Sequence, residues 1–126
     1  LPNMAEFLLL TNSKTMEEGI EKISKIAPDL MLVIKNGADG AYCWKRGILT
    51  HQPAFLNTAV VDCIGAGDSF NAGFVHAFLR GSTPEICLRT GALTGAVSTT
   101  RTGGTGAFLN LETVRGIASE SFNMTL

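Results

Sequence analysis

A chain of 126 residues, 45% hydrophobic and 17% charged, is at most one domain of ordinary globular composition, long enough to bury about two-thirds of its unfolded surface. A formal net charge of −1 without a basic stripe argues against nucleic acid and anionic membrane as partners, and the longest apolar run, Leu30 to Ile34, is far too short to cross a bilayer. Cys43, Cys63 and Cys87 are odd in number and widely spaced, and His51 and His76 stand alone; this argues against a zinc site or a disulfide framework and makes reduced thiols in a cytoplasmic protein the expectation.

Pro2-Asn3 reads as a turn that caps a helix, with Glu6 at the capping-box offset from Asn3, and nothing in these first residues has the form of a secretory signal. Thr15 to Ile26 is expected to be helical. Ile20, Ile23 and Ile26 form its apolar stripe, and Glu18–Lys22 and Glu21–Lys25 are favourable pairs on its wet face. Ala27-Pro28-Asp29 ends it. The continuous apolar run Leu30 to Lys35 suggests a buried parallel strand. Asn36 to Gly40 is a turn, Ala41 to Lys45 a second strand, and Ile48 to His51 a third, the last two joined as a hairpin.

After a connector from Gln52 to Thr58, Ala59 to Asp62 leads into Gly65-Ala66-Gly67-Asp68 and then into a helix running from about Asp68 to Leu79. Phe70, Phe74, Ala77 and Phe78 recur on its apolar face. Gly81 suits the position after the helix, and Pro84 the first turn of the next, which is expected to run to about Thr100. That helix is rich in small residues, Gly91, Ala92, Gly95 and Ala96, which let a neighbouring backbone approach closely. Arg101 to Gly106 is a glycine loop. Asn110 is expected to cap a short last helix ending near Arg115, followed by a frayed end.

The stretch from Val60 to Phe74 carries the chemistry. An extended segment turns sharply at glycines and opens a helix whose first N–H groups, with the positive end of the macrodipole, favour an anion. A carboxylate at that spot, Asp68, has two explanations. It is either a plain helix N-cap or a base beside a phosphoryl group in transit. Cys63 lies next to this turn and is expected to be a small core residue. The chain has no Gly-x-x-x-x-Gly-Lys-Ser/Thr, and Gly65-Ala66-Gly67 lacks the third glycine of the dinucleotide fingerprint.

Asp62, Gly65, Ala66, Gly67, Asp68 and Phe70 resemble the Asp-Thr-x-Gly-Ala-Gly-Asp-x-Phe signature of the ribokinase-like (PfkB) carbohydrate kinases, with Cys63 in place of the usual Thr. Two further elements resemble the family in its order: Asn3 and Glu6 as its Asn-x-x-Glu, and Lys35, Gly37 and Gly40 as its Lys/Thr-x-Gly-x-x-Gly. The resemblance implies a three-layer α/β/α sandwich of ribokinase type, of which residues 1–126 are the carboxy-terminal, nucleotide-binding half. It implies transfer of the ATP γ-phosphoryl group to a sugar or nucleoside hydroxyl. Asp68 would be the catalytic base, and Gly65, Ala66 and Gly67 the anion hole. Lys35, Gly37 and Gly40 would border the nucleotide phosphates, with Gly103 and Gly104 in a loop closing over the nucleotide. Asn3 and Glu6 would organise Mg²⁺ through water, and Asp62 would be the side-chain ligand of a K⁺ ion. Family members often carry an Asn near Ala92, so the adenine contact is expected to differ here. Most sugar contacts and the lid come in the family from an amino-terminal portion longer than this chain. The chain alone is therefore expected to be inactive or weakly active and to self-associate, as a homodimer, through an exposed sheet edge. The alternative from another class is a non-catalytic nucleotide- or partner-binding domain that keeps the fold.

Overall fold

The computed structural model describes all of residues 1–126. Helices α1 (Met4–Thr11) and α2 (Met16–Ile26) precede strand β1 (Met31–Lys35); a single 3-10 turn leads to β2 (Ala41–Lys45) and β3 (Ile48–Gln52). After a long connector come α3 (Ala66–Leu79), α4 (Pro84–Ser98), another 3-10 turn and α5 (Leu111–Phe122). Local chemistry sets the helix starts. Asn3 and Glu6 close a capping box, each side chain accepting the other's backbone N–H at 2.8 and 2.9 Å. Thr15, Thr83 and Asn110 cap α2, α4 and α5 by accepting the N–H three residues on.

The sheet order is β1-β2-β3, antiparallel throughout, with Val33 opposite Cys43 and Cys43 opposite Thr50. The expected parallel strand is thus corrected: β1 is parallel only to Asn3, through one bridge at Lys35. The apolar run has another cause, burial on both faces. Leu32 and Ile34 pack with Phe7 and Trp44 against α1 and α2, while Val33, Ala41 and Cys43 pack with Phe70, Phe74, Cys87 and Leu88 of α3 and α4. Helices on both faces of the sheet make the three layers. Burial also pushes the Cys43 thiol up to about 11.

Other expectations shift for identifiable reasons. Ile26, at the end of α2, and Phe78 are exposed, so the apolar faces stop at Ile23 and Ala77. Helix α4 ends at Ser98, where the hydroxyls of Thr99 and Thr100 turn back onto the carbonyls of Ala96 and Val97, each at 2.7 Å. Helix α5 runs past Arg115 to Phe122, and its end is anchored rather than frayed. Phe122 and Met124 pack on a third cluster of Leu93, Val97, Ala107 and Ile117.

Candidate active site

The site grows from the start of α3. Ahead of it, the N–H groups of Val61 and Asp62 donate to the Thr99 carbonyl at 2.9 and 3.3 Å, tying the segment to the end of α4. The Asp62 carboxylate then accepts two further N–H groups at 2.9 Å, from Ile64 on one oxygen and from Gly103 on the other. The Gly103 N–H, then that of Ile64, hold its carboxyl below the usual carboxylate range. Gly65 follows with φ 75°, a left-handed conformation, and a Cβ there would lie 3.2 Å from the Gly104 Cα. Both glycines are required because the two backbones abut.

Helix α3 begins at Ala66, so Asp68 lies within its first turn and is not the N-cap. The Ala66 N–H is spent on the Cys63 carbonyl at 3.2 Å, whereas those of Gly65, Gly67 and Asp68 donate to no atom of the chain. Of the anion hole expected of Gly65, Ala66 and Gly67, the N–H groups of Gly65 and Gly67 are open and that of Ala66 is engaged; the Asp68 N–H is open as well. The Lys35 ammonium reaches over this turn from the end of β1. It donates to Asn71 Oδ1 at 3.0 Å and lies 3.5 Å from where a Gly67 Cβ would be. A cation beside the positive end of a helix, with free N–H groups next to it, is a place built for negative charge.

A cavity of about 480 Å³ opens here, within the range of small-molecule sites. Lys35, Gly37, Gly40 and Gly67 give it a polar end; Phe55, Leu56, Val60, Ala92 and Ala96 line the rest. The Gly37–Gly40 turn is braced from behind. The Asp39 carboxylate accepts Tyr42 Oη–H at 2.6 Å and Asn36 Nδ2–H at 3.2 Å, His51 Nε2 donates to the Asp39 carbonyl at 2.7 Å, and the His51 ring stacks on Tyr42. Gly40, at φ 100°, leaves no room for a Cβ, which would strike the Gln52 carbonyl.

The structure brings Lys35, Gly37, Gly40, Ala66 and Gly67 onto one cavity wall. Asp68 is next to Gly67 but outside that wall, exposed and without a hydrogen bond from its side chain. Gly103 and Gly104 pack on Asp62 and Gly65 rather than lining the cavity. Asn3 and Glu6 are beside Lys35 through the Asn3 bridge, their side chains engaged with each other's backbone. Cys63 is exposed and lines the cavity, which corrects the expectation of a core residue. Reading the sequence missed Asn71 and the apolar connector wall. Asn71 is four residues beyond Gly67, on the same helix face, which was the available signal.

A family profile described as pfkB family carbohydrate kinase matches residues 1–110. An uncharacterized sugar kinase from Archaeoglobus fulgidus is 36% identical over 97 residues, covering 76% of this chain and 37% of its own length. A 2-dehydro-3-deoxygluconokinase from Haemophilus influenzae is 38% identical over 87 residues, 65% of this chain and 26% of the relative. Arabidopsis thaliana ribokinase, solved with ribose and ATP, superposes with a TM-score of 0.78 at 26% identity, over 95% of this chain and 40% of that one. The chain spans well under half the length of these relatives.

Proposed function

This chain belongs to the pfkB family of carbohydrate kinases, and from that premise we propose that it carries the nucleotide-binding, hydroxyl-activating part of an ATP-dependent phosphotransferase acting on a sugar or nucleoside alcohol. One observation carries the reading: the Lys35 ammonium lies over Gly67 on the cavity lining, at a helix start where the N–H groups of Gly65, Gly67 and Asp68 have no partner in the chain. The nucleotide occupies the cavity side of Gly67, with its base against Phe55, Leu56 and Ala92 and its phosphates toward Lys35. The acceptor alcohol approaches from the solvent side, where Asp68 stands free to orient the hydroxyl and take its proton. An ionised Asp is a weak base, but a loose transition state gives up that proton late, so positioning outweighs basicity. The open amides stabilise charge gathering on the transferring group.

Magnesium fits the residues present only through water and phosphate. No three acidic, histidine or cysteine groups cluster to cage an ion, and Glu6 keeps one carboxylate oxygen free of the capping box for a water ligand. When bound, the ion neutralises phosphate charge. Asp62 retains lone-pair capacity on both oxygens for a potassium ion.

Asp68→Asn in the full-length kinase tests the reading. We expect kcat to fall by about two to four orders of magnitude, the range for a positioned general base, with ADP affinity unchanged. Turnover that survives the substitution overturns the role of Asp68. A wild-type protein that binds ADP and phosphorylates nothing in a panel of sugars and nucleosides is a binding domain instead.

A further inference from the structure

Lys35 is paired in an unusual way. The chain's salt bridges are Lys22–Glu18, Lys25–Glu21 and Arg46–Asp29, all elsewhere. Lys35 instead donates to the neutral side-chain amide of Asn71, on the face of α3 that also presents Gly67 one turn earlier. The pair is half-buried, and it spans 36 positions of sequence. A carboxylate in place of Asn71 would hold the ammonium equally well but cancel its charge at short range. An apolar residue would leave the charge but release a flexible four-carbon stem. A neutral acceptor alone fixes the cation and leaves it uncompensated.

We infer that Asn71 is a positioning residue: its carbonyl oxygen holds the Lys35 ammonium over the Gly67 turn so that the full positive charge faces the phosphate chain of a bound nucleotide. The inference rests on the proposed nucleotide site and adds to it the residue that keeps its lysine in place. Asn71 touches no substrate atom. Its effect passes through Lys35, so it must appear for ligands with phosphates and vanish for ligands without them.

The test uses the full-length kinase and two probes, ADP and adenosine, titrated calorimetrically into wild type, Asn71→Ala, Asn71→Asp, Lys35→Met and the Asn71→Ala/Lys35→Met double variant. Thermal melts select folded protein. Asn71→Ala is expected to weaken ADP by about tenfold, as for a lost hydrogen bond to a charged group. Asn71→Asp is expected to weaken ADP at least as much although the lysine stays anchored, and adenosine affinity is expected to remain that of wild type in both. In the Lys35→Met background, Asn71→Ala should cost nothing further. Equal loss of ADP and adenosine, or an Asn71→Ala effect that persists without Lys35, overturns the inference and makes Asn71 a packing residue. Wild-type protein that binds adenosine but gains nothing from the phosphates removes both the inference and the phosphate site it rests on.

Discussion

The two oxygens of Asp62 accept N–H groups from different parts of the chain, Ile64 beside it and Gly103 across the loop after α4. One side chain therefore sets the turn into α3 and the position of the glycine loop together. Because these N–H groups lower the folded carboxyl's pKa, the attachment is complete above the ordinary Asp value of about 3.9 and is lost as pH falls through the lower folded value. In an acid titration followed by NMR, the amides of Ile64 and Gly103 should move together with a midpoint below that value; a shared midpoint above it would contradict the geometry. At neutral pH, Asp62→Ala should free the loop and speed tryptic cleavage after the exposed Arg101. At this scale the sequence was readable wherever a side chain answers to its own neighbourhood. Asn3 and Asn110 cap three residues ahead, so spacing alone reveals them, whereas Thr15, read as the first residue of α2, proves to be its cap. Asn71 and Cys63 were not readable in this way: what they touch depends on β1 and the connector folding against α3, which no local pattern encodes.

Helices α3 and α4 form the most extensive contact in the molecule, and glycines make it possible. A Cβ on Gly73 would strike the Thr94 hydroxyl and lie 2.9 Å from the Thr90 carbonyl; one on Gly91 would lie 3.0 Å from the Phe70 carbonyl. Thr94 cannot turn aside at no cost, because its hydroxyl donates to the Ser69 carbonyl at 2.9 Å and its methyl group also crowds Gly73. Gly73→Ala gains about 1 kcal/mol of helix propensity but forces the helices apart, for which overpacking typically costs about 1–3 kcal/mol. We expect a net loss of up to about 2 kcal/mol by urea denaturation. Gly116 on α5, where an added Cβ would meet nothing within 4 Å, is the control: Gly116→Ala should stabilise by about 0.5–1 kcal/mol. Gains at both sites would mean that the helices are not in close contact. The small-residue pattern of α4 announced close packing without naming the partner. Strand polarity was misread for a related reason: an apolar run such as Leu32-Val33-Ile34 records burial on both faces, and antiparallel β2 provides the same burial as a parallel neighbour.

Across the whole molecule, the sandwich and the order of its motifs were legible because Asn3/Glu6, Lys35–Gly40 and Asp62–Phe70 occur in sequence and converge on one end of the sheet. The separation of roles there was not. The cavity takes Lys35 and Gly67, Asp68 faces solvent, and Gly103 and Gly104 serve the backbone. The exposed surface bears on the same point. Strand β3 has an unpaired outer edge with Ile48 and Leu49 exposed, and Leu9, Leu10, Leu56, Val60, Val61 and Ile64 are exposed around the rest of the fold. Open strand edges and clustered apolar groups favour association with whatever completes them. The relatives have the length to do so, since this chain covers only 26% of one and 37% of another. The 126-residue chain expressed alone should therefore run as dimers or larger species in size-exclusion chromatography with light scattering. Its ATP turnover with a sugar panel, read by coupled ADP release, should fall below detection. Adding, as a separate chain, the portion that the longer relatives have and this chain does not should reduce the self-association and bring turnover up, because covered edges and apolar groups are no longer free to pair. A clean monomer that phosphorylates a sugar unaided would show that the acceptor site is built from these residues alone and that the open edge needs no partner.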